Sequence, residues 1–69
     1  MEMKDSELVA EALKDKKRKE TLEQALGRAV RKNNGKYEEY LRIMADIREI
    51  AYARGITPIE AARVIAGQP

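Results

Sequence analysis

Histidine, cysteine, tryptophan and phenylalanine are absent from the 69 residues, and proline and glycine number only two and four. Each absence removes a class of function. Without histidine or cysteine the usual ligand sets for zinc, haem and iron–sulfur clusters are missing, together with the thiol nucleophile and the commonest general base. Disulfide staples are excluded by the same count, which fits a reducing compartment. No apolar run approaches the roughly 20 residues that a membrane-spanning helix needs. The opening residues Met1 to Glu7 do not follow the basic-then-apolar order of a signal peptide, so a cytoplasmic protein is expected. Charged residues make up 38% and apolar residues 43%, a balance that predicts a folded module and not a disordered polyelectrolyte. A non-enzymatic protein without cofactor or metal is expected.

Size sets a second bound. A chain of this length forms one domain and buries only about 60% of its unfolded surface, so its net stability is small. The core has to come from 17 Leu, Ile, Val and Met residues and three tyrosines. Self-association is a natural remedy for so small a core, and a homodimer is expected.

Strand signals are missing and the apolar spacing is helical almost throughout, which predicts an all-α fold, a small bundle of three or four helices over residues 6 to 19, 22 to 32, 37 to 54 and 58 to 66. Asp5 or Ser6 can cap the first helix, whose apolar members are Leu8, Val9, Ala12 and Leu13. Thr21 to Gln24 has the spacing of a capping box, followed by a stripe of Leu22, Ala25, Leu26, Ala29 and Val30 that stops at Asn33-Asn34-Gly35. The two stripes are about 90° out of phase on one straight helix, so either the chain bends near residues 15 to 21 or a long helix presents two faces. From Tyr37 to Arg54 the residues Tyr37, Tyr40, Leu41, Ile43, Met44, Ile47, Ile50 and Ala51 form a wide apolar face, with Arg42 spaced to pair with Glu38 and Asp46. Gly55 ends that helix, Thr57 caps the next, Pro58 is its first residue, and Gly67 and Pro69 stop it.

Charge divides the chain. Residues 1 to 13 carry a net of −3, residues 14 to 36 a net of +6, and residues 37 to 69 a net of −1. The run Lys14-Asp15-Lys16-Lys17-Arg18-Lys19 is the densest basic stretch. Arg28 and Arg31 lie opposite the apolar stripe of the second helix, and Lys17 joins them if that helix extends backward. Such a face can track a phosphate backbone with strong salt dependence and little sequence preference.

The string from Ile50 to Ile65 resembles the helix-turn-helix of many DNA-binding proteins. Ala51 stands at the small position where the two helices approach, Gly55 at the turn four residues on, and Ile56, Ala61 and Val64 at the positions that lock the second helix on the first. Arg54 departs from the pattern, which favours an apolar residue there. The resemblance implies that Thr57, Pro58, Ile59, Ala62, Arg63 and Ala66 face a groove, and of these only Thr57 and Arg63 carry groups able to read bases or hold phosphate.

The leading expectation is a small regulatory protein of homodimeric form that binds nucleic acid, duplex DNA first. Lys16, Lys17, Arg18, Lys19, Arg28 and Arg31 would hold phosphates, and Thr57 and Arg63 would enter the groove. The alternative is a helical protein-interaction module, an adaptor, inhibitor or assembly factor, that uses Ile59, Ala62 and Ile65. Its ground is that the last helix is apolar on nearly all sides and calls for a partner. Tyr37 and Tyr40 are expected to be packing residues, and the acidic groups Glu38, Glu39, Asp46 and Glu49 a solvated face.

Overall fold

The computed structural model describes residues 3 to 68, so the expected stop at Pro69 lies outside the described residues. Four helices follow one another: α1 (Asp5–Asp15), α2 (Leu22–Lys32), α3 (Tyr37–Arg54) and α4 (Pro58–Ile65). α1 packs on α2 and α4, and α3 packs on the same two helices from the other side, so the helices form a closed four-membered arrangement around one core. No helix among the described residues is long and apolar enough to cross a membrane.

Local signals set most of the helix ends. Thr21 Oγ1 accepts from the Gln24 N–H at 3.1 Å while Gln24 Oε1 accepts from the Thr21 N–H at 3.0 Å, which satisfies two first-turn donors reciprocally. The same box recurs at α4, between Thr57 and Glu60. α2, α3 and α4 all end in a left-handed residue followed by a return hydrogen bond to the carbonyl five positions back. Asn34 (φ 61°) precedes Gly35 N–H to Val30 O at 2.8 Å, Gly55 (φ 64°) precedes Ile56 N–H to Ala51 O at 3.0 Å, and Gly67 (φ 74°) precedes Gln68 N–H to Arg63 O at 2.9 Å.

α1 differs from expectation at both ends. It starts one residue early, with Lys4 as the cap, because Glu7 accepts the Lys4 backbone N–H at 3.1 Å and Asp5 is needed elsewhere. The Asp5 carboxylate takes two hydrogen bonds from Arg42, at 2.5 and 3.0 Å, which tie the start of α1 to α3. Arg42 therefore pairs across the fold and not with Glu38 or Asp46 on its own helix. At the other end α1 stops at Asp15, four residues short of the expected Lys19, and the backbone at Lys16 is extended. Residues 6 to 32 are two helices joined by a bend, one of the two alternatives that the phase of the stripes left open.

The core is made of Leu8, Val9, Leu26, Val30, Ile43 and Ile47, all fully buried, with six alanines filling the places where helices come closest. Among the described residues every buried side chain is apolar. At about 1.5 to 3 kcal/mol for each large aliphatic side chain taken out of water, this cluster is the main source of stability.

Three expectations about the apolar faces are corrected. Tyr37 is 70% exposed and Leu41 48% exposed, because α2 and α4 cover only the side of α3 that carries Ile43, Met44, Ile47 and Ala51. Val64, expected to lock α4 on α3, is 37% exposed, while its neighbours Ala61 and Ala62 are fully buried. α3 takes one side of α4 and α1 the other, which buries Ala61 and Ala62 and leaves Ile59 and Ile65 half-buried.

Candidate nucleic-acid interface

The segment between α1 and α2 carries the densest positive charge, and its shape comes from two charged residues outside the run. Glu20 accepts the backbone N–H of Lys17 at 3.0 Å and closes a turn in which the Glu20 N–H reaches the Lys17 carbonyl at 3.1 Å. The Arg28 guanidinium forms an ion pair with Glu20 and donates to the Asp15 carbonyl at 2.8 Å, one of the carbonyls left unpaired at the end of α1. The Lys17 N–H, joined by Arg28, holds the Glu20 carboxyl below its ordinary range. Four consecutive cations continuing α1 would repel one another along its axis. As a loop they spread apart, and one arginine and one glutamate neutralise its base.

This loop meets α4. Lys14, Lys16, Lys17 and Arg18 line one side of a depression of about 410 Å³, and Arg63 lines the other. Leu13 and Ile59 contribute its apolar surface, and among the described residues around it there is no carboxylate. Five cations facing a single concavity, with no counter-charge among the described residues that line it, produce a local positive potential that attracts polyanions. The nearest acid on α4, Glu60, has its carboxylate occupied by the Thr57 N–H and Thr57 hydroxyl, both at 3.0 Å, and these bonds hold its carboxyl below the ordinary range.

The expected site residues therefore separate. Lys16, Lys17, Arg18 and Arg63 come together, and Lys14 joins them. Lys19 is exposed on the same loop but does not line the depression. Arg28 is a structural residue of the loop. Thr57 spends its hydroxyl on the cap of α4, accepting from the Glu60 N–H at 3.2 Å and donating to its carboxylate, so it is not free to read a base. Ala62, proposed as a contact from the sequence, is 0% exposed, buried where α4 meets its neighbours. Ile59 and Ile65 are half-buried in different places: Ile59 in the cationic depression, Ile65 beside Asp5, Asp46 and Glu49. They do not form one apolar interface.

Arg31 lies in a second groove, of about 650 Å³, between α2 and the start of α3. Tyr37 and Tyr40 stack there with ring centroids 5.6 Å apart and planes 22° from parallel. Gly27 lies between the Arg31 guanidinium and the Tyr40 ring, and Glu20, Glu23, Gln24 and Arg28 contribute to the walls. Sequence reasoning missed this groove because helical spacing alone cannot tell an edge position on a wide apolar face from a core position. The one signal available was Gly27, a weak helix former in the middle of an otherwise strong helix.

No protein family model, curated protein sequence or solved structure matches the chain.

Proposed function

We propose that the protein is a small cytoplasmic, non-enzymatic binder of nucleic acid that grips the phosphate backbone with the depression between the α1–α2 loop and α4. The observation that carries this reading is the convergence of Lys14, Lys16, Lys17, Arg18 and Arg63 on one concavity with no facing carboxylate among the described residues. The contacts available are backbone contacts. Thr57 is occupied, Ala62 is buried, and Ile59 and Ala66 are packed against the core, so α4 has little with which to read base edges in a groove. The expected mode is a low-specificity, salt-sensitive grip, which suits a regulatory or protective role on many sequences.

The test is fluorescence anisotropy of a labelled 20-nucleotide strand titrated at several salt concentrations. Up to five neutralised phosphates give a slope of log K against log salt of about −3.5 on single strands, or roughly a hundredfold loss between 50 and 200 mM. Lys16→Glu with Lys17→Glu and Arg63→Glu removes binding. Arg48→Glu, an exposed arginine on α3 outside the depression, changes it little. Absence of binding at 50 mM salt overturns the reading.

A second reading, self-association, has its own support. Leu41, Ala45, Arg48 and Tyr52 lie along one exposed side of α3, and Tyr52 is 93% exposed. Antiparallel pairing of two α3 helices sets Leu41 of each copy against Ala45 of the other and Arg48 opposite Glu38, a register with both apolar and charge complementarity. Sedimentation equilibrium of the wild type and of Leu41→Glu decides it: a dimer that becomes a monomer supports the reading, and a monomeric wild type at millimolar concentration ends it.

A further inference from the structure

The groove between α2 and α3 has features that the phosphate grip does not use. We propose that it is a stacking site for an unpaired nucleobase, with Tyr37 as the platform, so that the ligand of the protein is single-stranded nucleic acid. This deepens the proposed function and rests on it. Tyr37 is 70% exposed, and its ring is held in place by the stack on Tyr40. A large exposed aromatic ring fixed by a second ring is the arrangement that sequence-tolerant binders of single strands use, since every base has a π-face.

Gly27 supplies the second, independent observation. It lies in the middle of α2, where glycine weakens a helix relative to alanine. Packing within the protein does not require it. A Cβ at this position would approach nothing closer than 3.6 Å, the Arg31 guanidinium, with the Tyr40 ring next at 3.9 Å. The missing side chain keeps the floor of the groove open beside the tyrosines.

The groove's chemistry selects a base over a phosphate. Glu20 and Arg28 neutralise each other and Gln24 Oε1 is taken by the Thr21 N–H, which leaves Glu23 as acceptor and the Gln24 amide N–H and Arg31 as donors. A mixed donor and acceptor set with an apolar floor matches the edge and face of a heterocycle, whereas a phosphate would meet Glu23. The two sites are also linked by a short stretch of chain. Arg18 lines the cationic depression and Glu20 lines this groove, and two residues of chain separate their Cα atoms by about 7 Å at most. A strand whose backbone lies in the depression can turn one base into the groove.

The experiment compares a labelled oligothymidylate with an abasic strand of the same length, which has the same phosphates and no bases. The expected result is oligothymidylate binding about fivefold tighter, the lower end of what one stacked base contributes. Tyr37→Ala removes that preference while leaving the affinity for the abasic strand and the salt slope unchanged, and Tyr37→Trp retains it. Gly27→Ala is the complementary variant: it raises the melting temperature by roughly 4 °C, as expected for a helix-interior glycine, and at the same time erodes the preference for the strand with bases. Equal binding of the two strands, or a preference that survives both Tyr37→Ala and Gly27→Ala, overturns the base-stacking site and leaves the phosphate grip standing. Failure of either strand to bind removes both.

Discussion

Two corners of this bundle solve the same problem with different means. At the α3–α4 corner the chain reverses on Gly55 in the left-handed conformation and restarts on Thr57 with Pro58 at the first helical position and Glu60 reaching back. Everything it needs lies within the ten consecutive residues from Ala51 to Glu60. At the α1–α2 corner the loop is held by Glu20 and by Arg28, which reaches from inside the next helix to the carbonyl of Asp15. The first corner is built from backbone conformation, the second from charge brought across the fold. A conformational corner leaves its side chains free to pack, and Ile56 and Ala61 do so. A corner built from charge can carry a surplus of one sign, and four of the five cations of the proposed phosphate grip, Lys14, Lys16, Lys17 and Arg18, are at it.

Deleting what both corners rest on has the largest effect. Leu26 is fully buried at the centre of the core, and Leu26→Ala removes its methyl groups and leaves a cavity, a loss of about 2 to 5 kcal/mol. In a protein of this size that loss abolishes the cooperative thermal transition followed by circular dichroism, and both corners fail together.

The next perturbation separates them. Gly55→Ala meets no steric obstacle, as nothing lies within 4 Å of the added Cβ, so its cost is the left-handed backbone alone, about 1 to 2 kcal/mol. Gly55→Asn recovers part of it. The expected melting temperatures rank wild type above Gly55→Asn above Gly55→Ala, and equal values for the two variants refute the conformational account of this corner. Arg28→Met acts on the other corner and is local. Faster exchange of the Lys17 and Glu20 amides, with small change in the global melting temperature, is the result that marks it as a loop support, because the group it removes is partly exposed and exposed ion pairs contribute little to overall stability.

The same division explains what could be read from the sequence. The α3–α4 corner, the capping box at Thr21 and the cap at Thr57 were legible because each depends on residues close in the chain, and the phase of the stripes gave the bend between residues 15 and 21 as one of two alternatives. The partners of Arg28 and Arg42 were not, since spacing along one helix favours i,i+4 pairs and the fold supplied Glu20, Asp15 and Asp5 instead. Ala62 and Val64 exchanged their expected exposures because α1 lies against α4, a contact between the two ends of the chain that no local pattern encodes. The candidate site shows both cases. The cations of the loop were evident as a cluster, but their meeting with Arg63 and the exposure of Tyr37 depend on how the helices pack.

Acid tests the comparison most finely, because each corner contains a carboxylate that accepts a backbone N–H: Glu20 from Lys17 and Glu60 from Thr57. These bonds hold both carboxyls below their ordinary range, and hydrogen bonds from Arg42 do the same for Asp5. A group whose pKa is lower in the folded state than in the unfolded chain favours folding above its unfolded value and loses that contribution as pH falls through its folded value. Stability is therefore expected to be flat from about pH 5 to 8, where no histidine titrates, and to decline below about pH 4.3. The protein contains its own control for Glu60. Gln24 makes the same reciprocal box with Thr21 that Glu60 makes with Thr57, and it carries no charge. Glu60→Gln should keep the cap of α4 at neutral pH and remove its share of the acid sensitivity. Glu20→Gln also removes titration, but it strands Arg28 without its counter-charge and loosens the loop at every pH. Melting temperatures from pH 2.5 to 7 decide the matter: a shallower acid decline without loss at pH 7 for Glu60→Gln, against a loss at both ends for Glu20→Gln, is the signature of one corner made by conformation and one made by charge.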